Sequence, residues 1–254
     1  MSTVPAESPV PPPSSLPSPP PPPLPEPPVP SPSDPSPLPP AANATRTAAL
    51  GFALLSAVLL LLVALRWSPL MDADGSLARE AHRWAVAEPG VTHVHRVLTD
   101  WVWDPWTMRA LAAAVTLWLL SRKAWWLALW ITVTCALGTA VQQSLKAALD
   151  RDRPVWPDPV DSAHYAAFPS GHAMTATVVC GLLLWVLHLY GAGRVVLWRT
   201  AVVVAAVSVA GAGLTRLWLG VHWPSDVLGG WFLGTLMVTL AIASYAKVRG
   251  PGRT

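Results

Sequence analysis

After residue 45, apolar residues come in long unbroken blocks instead of alternating with polar ones. Residues 47–65 are 19 uncharged positions between Arg46 and Arg66. A helix rises 1.5 Å per residue, so this block reaches across a bilayer core of roughly 30 Å. Residues 105–121 predict a second span, with Arg109 near its start. Residues 124–145 predict a third, 22 positions without a charge, and blocks near 172–191, 199–216 and 227–246 complete six. The fifth has only 16 uncharged residues between Arg199 and Arg216, which predicts that Arg216 dips below the membrane surface. Between the first two spans, Leu77, Ala81 and Trp84 recur at helical spacing among Arg79, Glu80 and Arg83, the pattern of an interfacial amphipathic helix. The histidines of this stretch, His82, His93 and His95, read as surface residues.

Composition agrees with a membrane body. The 254 residues are 52% hydrophobic and only 12% charged, well below the roughly 25% of a soluble domain. Twenty of the 29 prolines fall in the first 40 residues. A segment of Pro, Ser, Ala and Val cannot bury enough apolar surface to offset its ordering entropy, so residues 1–45 predict a disordered tail with polyproline II character. The fold expected is therefore all-α: an integral membrane bundle of six transmembrane helices over residues 46–248, with a proline-rich tail before it and a short basic tail, 249–254, behind. No basic start precedes an early apolar run, so the tail does not read as a signal peptide. Cys135 and Cys180 lie inside apolar blocks and read as small fillers, not as a disulfide or a zinc site.

Charge sets an expected orientation. Six spans put both termini on one side, together with Arg46, Arg122, Lys123, Arg194, Arg199, Lys247, Arg249 and Arg253; the only acids there, Glu7, Glu26 and Asp34, lie in the tail. The positive-inside rule makes that side cytoplasmic, so residues 66–104, 146–171 and 216–226 face outward. Trp101, Trp103, Trp106, Trp125, Trp126 and Trp223 near span ends read as an aromatic belt.

The polar residues of the outward face cluster. Lys146 ends the third span, and Arg153 follows seven residues later, nearly two helical turns on, with Pro154 biasing it out of helix. Pro169, Ser170, Gly171 and His172 directly precede the fourth span, and Arg216, His222 and Asp226 bracket the start of the sixth. Lys146, Arg153 and Arg216 suit an anion and the charge of its transition state. Ser170, Gly171 and His172 at a helix N-terminus offer free N–H groups, with Gly171 permitting close approach. One neutral imidazole can attack phosphorus while another protonates a leaving alkoxide. Asp226, four residues beyond His222, can fix that ring's tautomer. Pro224 suits a first turn, so the sixth helix is expected to begin just after His222.

With these residues in view, the sequence resembles the type 2 phosphatidic acid phosphatase family. Its three motifs stand here as Lys146, six residues, Arg153-Pro154; as Pro169-Ser170-Gly171-His172; and as Thr215-Arg216, five residues, His222, three residues, Asp226. The one departure is Thr215 where the family has Ser, and the hydroxyl is kept. The resemblance covers about residues 50–246. It implies His222 as nucleophile, Asp226 as its orienting partner and His172 as acid for the leaving group. It implies Lys146, Arg153, Ser170, Gly171 and Arg216 as phosphate ligands, with no metal and no cofactor. The implied reaction is hydrolysis of a lipid phosphate or pyrophosphate, such as an isoprenyl pyrophosphate, phosphatidylglycerol phosphate or phosphatidic acid. It would run outside the cytoplasmic leaflet of the plasma membrane, with no nucleic-acid partner and with any partner of the proline tail undefined. Phosphotransfer to another acceptor by the same site, and a non-catalytic membrane scaffold, are the alternatives at this stage.

Overall fold

The computed structural model describes residues 40–191 and 194–249, and among them every regular element is helical. Helix α1 is Pro40–Ala64, α2 Ser68–Ala87, α3 Pro89–Val97, α4 Pro105–Ser121, α5 Trp125–Leu149, α6 Gly171–Tyr190, α7 Val195–Trp218 and α8 Pro224–Arg249; a π-helical turn, Leu98–Val102, links α3 to α4. Five of these are long and apolar enough to cross a membrane: α1, α5, α6, α7 and α8. The sixth expected span, α4, is present as a 17-residue apolar helix, shorter than the others. The chain is a multi-pass membrane protein. Helix α1 begins at Pro40, inside the segment assigned to the tail. The remainder of the expected N-terminal tail lies outside the described residues, as does the expected C-terminal tail beyond Arg249.

Starts and stops follow local chemistry. Prolines occupy the first turn of α2, α3, α4 and α8, where no intrahelical N–H bond is lost. The Asp104 carboxylate caps α4, accepting from the N–H groups of Trp106 at 2.6 Å and Thr107 at 3.2 Å. Helix α5 stops where Asp150 turns left-handed, at φ 38°.

Helix α6 is central and packs against α4, α5, α7 and α8, while α1 lies along α8. Leu119, Leu127, Ile131, Leu182, Trp185 and Val238 form the main apolar core. Two features show adaptation to lipid. Leu50, Leu54 and Leu61 on α1, and Val203, Val204 and Val207 on α7, point outward, an apolar surface that costs nothing in hydrocarbon. Thr116, Thr132, Thr134, Thr139, Thr177, Thr215, Thr235 and Thr239 each donate their hydroxyl to the carbonyl four residues earlier, so these hydroxyls need no water at membrane depth.

The packing corrects three sequence expectations. On α2, the buried face is Asp74, Ala78, His82 and Ala85, while Leu77 and Trp84 point outward. The charged side with Arg79, Glu80 and Arg83 stays outside, and the two polar residues of the buried face, Asp74 and His82, have partners elsewhere in the fold. His82 is thus not a surface residue: it stacks on Trp156 at 4.2 Å and bonds Asp158 at 3.0 Å. Trp103 is buried against Gly211 on α7 and does not join the exposed belt, in which Trp101, Trp106, Trp125 and Trp126 do stand. Cys135 and Cys180 are free thiols within the bundle, as expected.

Close approach of α6 and α8 rests on glycine. A Cβ on Gly230 would sit 2.8 Å from the Ser170 carbonyl and 2.9 Å from the Ala173 Cβ, and one on Gly234 would meet Thr177 at 2.7 Å. Small residues let helix backbones touch where lipid supplies no hydrophobic drive. Gly230→Val is expected to destabilise the protein by roughly 1–3 kcal/mol through overpacking, read as a lower Tm in detergent. Gly51→Ala, on an α1 face with nothing within 4 Å, should leave Tm unchanged or slightly raised.

Candidate active site

The site lies where the C-terminal end of α5, the N-terminus of α6, the end of α7 and the start of α8 converge beneath the segment 150–170. Each position has a local reason. Asp150 breaks α5, so Arg153 is not on a helix with Lys146, in line with the bias from Pro154; it follows in irregular chain. The two cations nonetheless meet, because both donate to the Ala166 carbonyl, Lys146 Nζ in a short contact and Arg153 Nη2 at 3.5 Å. Arg153 also donates to the carbonyls of Tyr165 at 2.8 Å, His164 at 3.2 Å and Val221 at 2.5 Å. One guanidinium therefore gathers the segment before α6 and the turn before α8. Trp156 adds a further tie through Nε1 to the Gly220 carbonyl, 2.8 Å, and Trp223 another through Nε1 to the Asp152 carbonyl, 2.8 Å. Gly220 has φ +68°, the left-handed turn that ends α7 and aims His222 inward.

Helix α6 begins at Gly171, with Ser170 as its N-cap, as the sequence predicts. Ser170 is fully buried, and its N–H donates to the Asp226 carbonyl at 2.9 Å, locking α6 to α8. Its Oγ is buried without a partner. A Cβ on Gly171 would meet the Gln142 amide at 2.7 Å, so the end of the Gln142 side chain lies directly against the start of α6. His172 occupies the first turn of α6 and is half-buried. Helix α8 begins at Pro224, two residues after His222.

Arg216 is 6% exposed, buried within the protein. Its guanidinium reaches Thr99 Oγ1 at 3.3 Å and Asp161 at 3.7 Å, and its Nε has no partner. Two motif residues, Ser170 and Arg216, thus carry a buried polar atom without a partner. Buried polar atoms without partners are costly, and a site that receives an anion supplies the missing acceptor for Arg216.

His222 is 2% exposed. Its Nδ1 stands 3.3 Å from Asp226 Oδ2 and its Nε2 3.1 Å from Arg153 Nη1. A guanidinium only donates, so Nε2 is the accepting nitrogen and Nδ1 carries the proton toward the carboxylate. Burial, followed by the charges of Arg153, Arg216 and Lys146, holds the imidazole pKa well below its ordinary value. The ring is neutral, with its Nε2 lone pair directed at the cation that would carry phosphate. Burial, with the neighbouring Arg216 charge, also lowers Arg153 to about 10, leaving it cationic at neutral pH.

All eight site residues named from the sequence, Lys146, Arg153, Ser170, Gly171, His172, Arg216, His222 and Asp226, lie in this one region. Two further charged residues there were not singled out. Arg151 bonds Asp226 Oδ1 at 2.6 Å, and its partner Asp74 comes from α2. In the string Asp150-Arg151-Asp152-Arg153 the first arginine reads as part of a solvated turn, and Asp74 as a surface acid. Among the described residues no group of three or more His, Cys, Asp or Glu side chains is arranged to hold a metal ion.

Comparison with known proteins agrees with this arrangement. The PAP2 superfamily matches residues 127–249, the stretch that carries the three motifs. A phosphatidylglycerophosphatase B of Bacillus subtilis is 33% identical over 107 residues, 41% of this chain and 51% of that protein, so the chain spans about half the length of this relative. A decaprenylphosphoryl-5-phosphoribose phosphatase of Mycolicibacterium smegmatis is 32% identical over 145 residues, 56% of this chain and 72% of that protein. The crystal structure of a transmembrane PAP2-type phosphatidylglycerolphosphate phosphatase from Bacillus subtilis shares the fold, with a TM-score of 0.71 at 22% identity, over 81% of this chain and 99% of that one. The chain belongs to the PAP2 superfamily.

The depressed His222 pKa has a consequence for stability. A histidine buried neutral binds fewer protons folded than unfolded, so its contribution is fully present above the unfolded imidazole value of about 6.5 and is lost as pH falls below it. Stability in detergent is expected to decline below pH ~6.5, with His222 contributing at most about 1.4 kcal/mol per pH unit. The acid-side slope of Tm against pH should be shallower in His222→Gln, and an unchanged slope would contradict a buried neutral ring.

Proposed function

We propose that this protein is a membrane phosphatase that hydrolyses a lipid phosphate or pyrophosphate through a phosphohistidine on His222. The observation that carries the reading is the line Arg153–His222–Asp226, with its accepting Nε2 set among Lys146, Arg153 and Arg216. Phosphate oxygens would draw Arg153 off Nε2, exposing the lone pair as the substrate arrives. Nε2 then attacks phosphorus, and the bond from phosphorus to the lipid oxygen breaks. His172 gives its proton to the departing alkoxide. Asp226 holds the Nδ1 proton and stabilises the cationic ring. Water next attacks phosphorus, the P–N bond breaks, His172 takes the water's proton, and inorganic phosphate leaves. Lys146, Arg153, Arg216 and the N–H groups at Ser170 and Gly171 would balance the charge on the transferring group.

The relatives named for phosphatidylglycerol phosphate and for a polyprenyl-linked phosphate bring two lipid headgroups into question. A prenyl or a diacylglycerol anchor suits a site at the ends of membrane helices equally. The excess of basic residues on the terminal side supports cytoplasmic termini and an outward-facing site in the plasma membrane.

The test is phosphate release by the detergent-purified protein in excess chelator, offered phosphatidic acid, phosphatidylglycerol phosphate and an isoprenyl pyrophosphate. Release should persist in chelator and fall by about 10³-fold or more in His222→Ala, as expected for loss of a nucleophile. Trapped phosphoenzyme in that variant would refute the assignment. His172→Ala should cost roughly 10²-fold or more with lipid substrates and far less with an activated aryl phosphate, whose leaving group needs no acid. Equal losses on both would remove His172 from that role.

A further inference from the structure

Arg151 stands two residues before Arg153, in the irregular chain that follows α5. The two arginines grip the two members of one pair. Arg153 meets His222 Nε2, and Arg151 meets the Asp226 carboxylate. The fork of Arg151 is fully engaged away from the phosphate-facing cations. Its Nη1 donates to Asp226 Oδ1 at 2.6 Å and Ser225 Oγ at 2.7 Å, and its Nη2 to Asp74 Oδ2 at 2.7 Å and Met71 Sδ at 3.5 Å. The cations that act on His222 are Arg153, Arg216 and Lys146, and Arg151 is not among them.

Asp74 completes the clamp. It is 2% exposed on a helix that leaves Leu77 outside, a choice that requires strong partners. Its Oδ1 accepts the Ser225 N–H at 2.8 Å, one of the free N–H groups at the start of α8, and its Oδ2 takes a short bond from Ser225 Oγ. Asp74 thus caps α8 from another helix and anchors the guanidinium that faces Asp226. Asp226 spends Oδ1 on Arg151 and shares Oδ2 between His222 Nδ1 and the Trp223 N–H at 2.8 Å.

We propose that Arg151, anchored by Asp74, is a positioning residue: it orients the Asp226 carboxylate and keeps it charged so that Asp226 holds His222 for attack. The proposal rests on the phosphatase reading above. Without Arg151, Asp226 and Asp74 would be two buried carboxylates with no cation between them, and the cheapest relief is to protonate or turn Asp226. Either change removes the acceptor from His222 Nδ1. Because both Nη groups of Arg151 are taken by Asp226, Ser225, Asp74 and Met71, the loss is expected to fall on turnover and not on substrate binding.

The experiment uses the full chain in detergent with phosphatidic acid and p-nitrophenyl phosphate. Arg151→Met is expected to lower kcat roughly 10- to 100-fold, the scale of an outer-shell loss, with KM changed less than about threefold. Arg151→Lys, which keeps the charge but not the fork, should recover part of that kcat, and Asp74→Asn should lower kcat in the same direction. In an Asp226→Asn background, adding Arg151→Met should cost less than about threefold more, since its target is already lost. Should Arg151→Met fail to give a monodisperse protein, Arg151→Lys alone and combined with Asp226→Asn carry the same test. A raised KM at constant kcat, multiplicative losses in the double variant, or a wild-type kcat in Arg151→Lys and Asp74→Asn would overturn the positioning role alone. No release by the unsubstituted protein, or full release by His222→Ala, would overturn the phosphatase reading and the positioning role with it.

Discussion

The Asp226 carboxylate is the junction on which the site depends. It is fully buried, at the first turn of α8, and its two oxygens receive Arg151, His222 Nδ1 and the Trp223 N–H. Its backbone carbonyl takes the Ser170 N–H, so the same residue joins the starts of α6 and α8. A buried charge is tolerable only with this density of donors. The donors come from three separate parts of the chain, around Arg151, Ser170 and His222, so the full set assembles only when the helices pack.

On the other side of His222 the balance reverses. Lys146, Arg153 and Arg216 converge, and their neighbours are mostly carbonyl oxygens: Ala166, Tyr165, His164 and Val221. Carbonyl dipoles satisfy hydrogen bonds without cancelling charge. The result is a cluster left positive, with Arg216 Nε still lacking an acceptor, and positive charge beside a neutral imidazole is what phosphoryl chemistry on histidine requires. Asp161, 3.7 Å from Arg216, is a partial counterweight on the segment over the site.

The lipid setting explains the scaffold. With no hydrophobic drive between helices, α6 and α8 approach through Gly230 and Gly234, and threonine hydroxyls are returned to their own helices. Close packing at the N-terminal ends of α6 and α8 holds Ser170 and Asp226 in register. Helix α2 keeps Arg79, Glu80 and Arg83 outside but turns Asp74 and His82 inward, where both have partners.

What the sequence determined by itself is what short range and composition control. Uninterrupted apolar blocks specify membrane helices, because a span of given thickness needs a given number of residues. Pro224 and the Ser170-Gly171 pair mark where α8 and α6 begin, because caps are local chemistry. Spacing within three segments named all eight motif residues. Tertiary structure decided what lies between segments. Arg151 and Asp74 are 77 positions apart, and no periodicity in either stretch signals their pairing. Trp103 and Trp101 look equivalent in sequence, yet only Trp103 is opposite a glycine that leaves room for its ring. Leu77 and Trp84 form the more apolar face of α2 yet remain outside, since two buried polar groups with specific partners outweighed them. Charge pairing over such distances is selected by which surfaces meet, and that is set only when the helices pack.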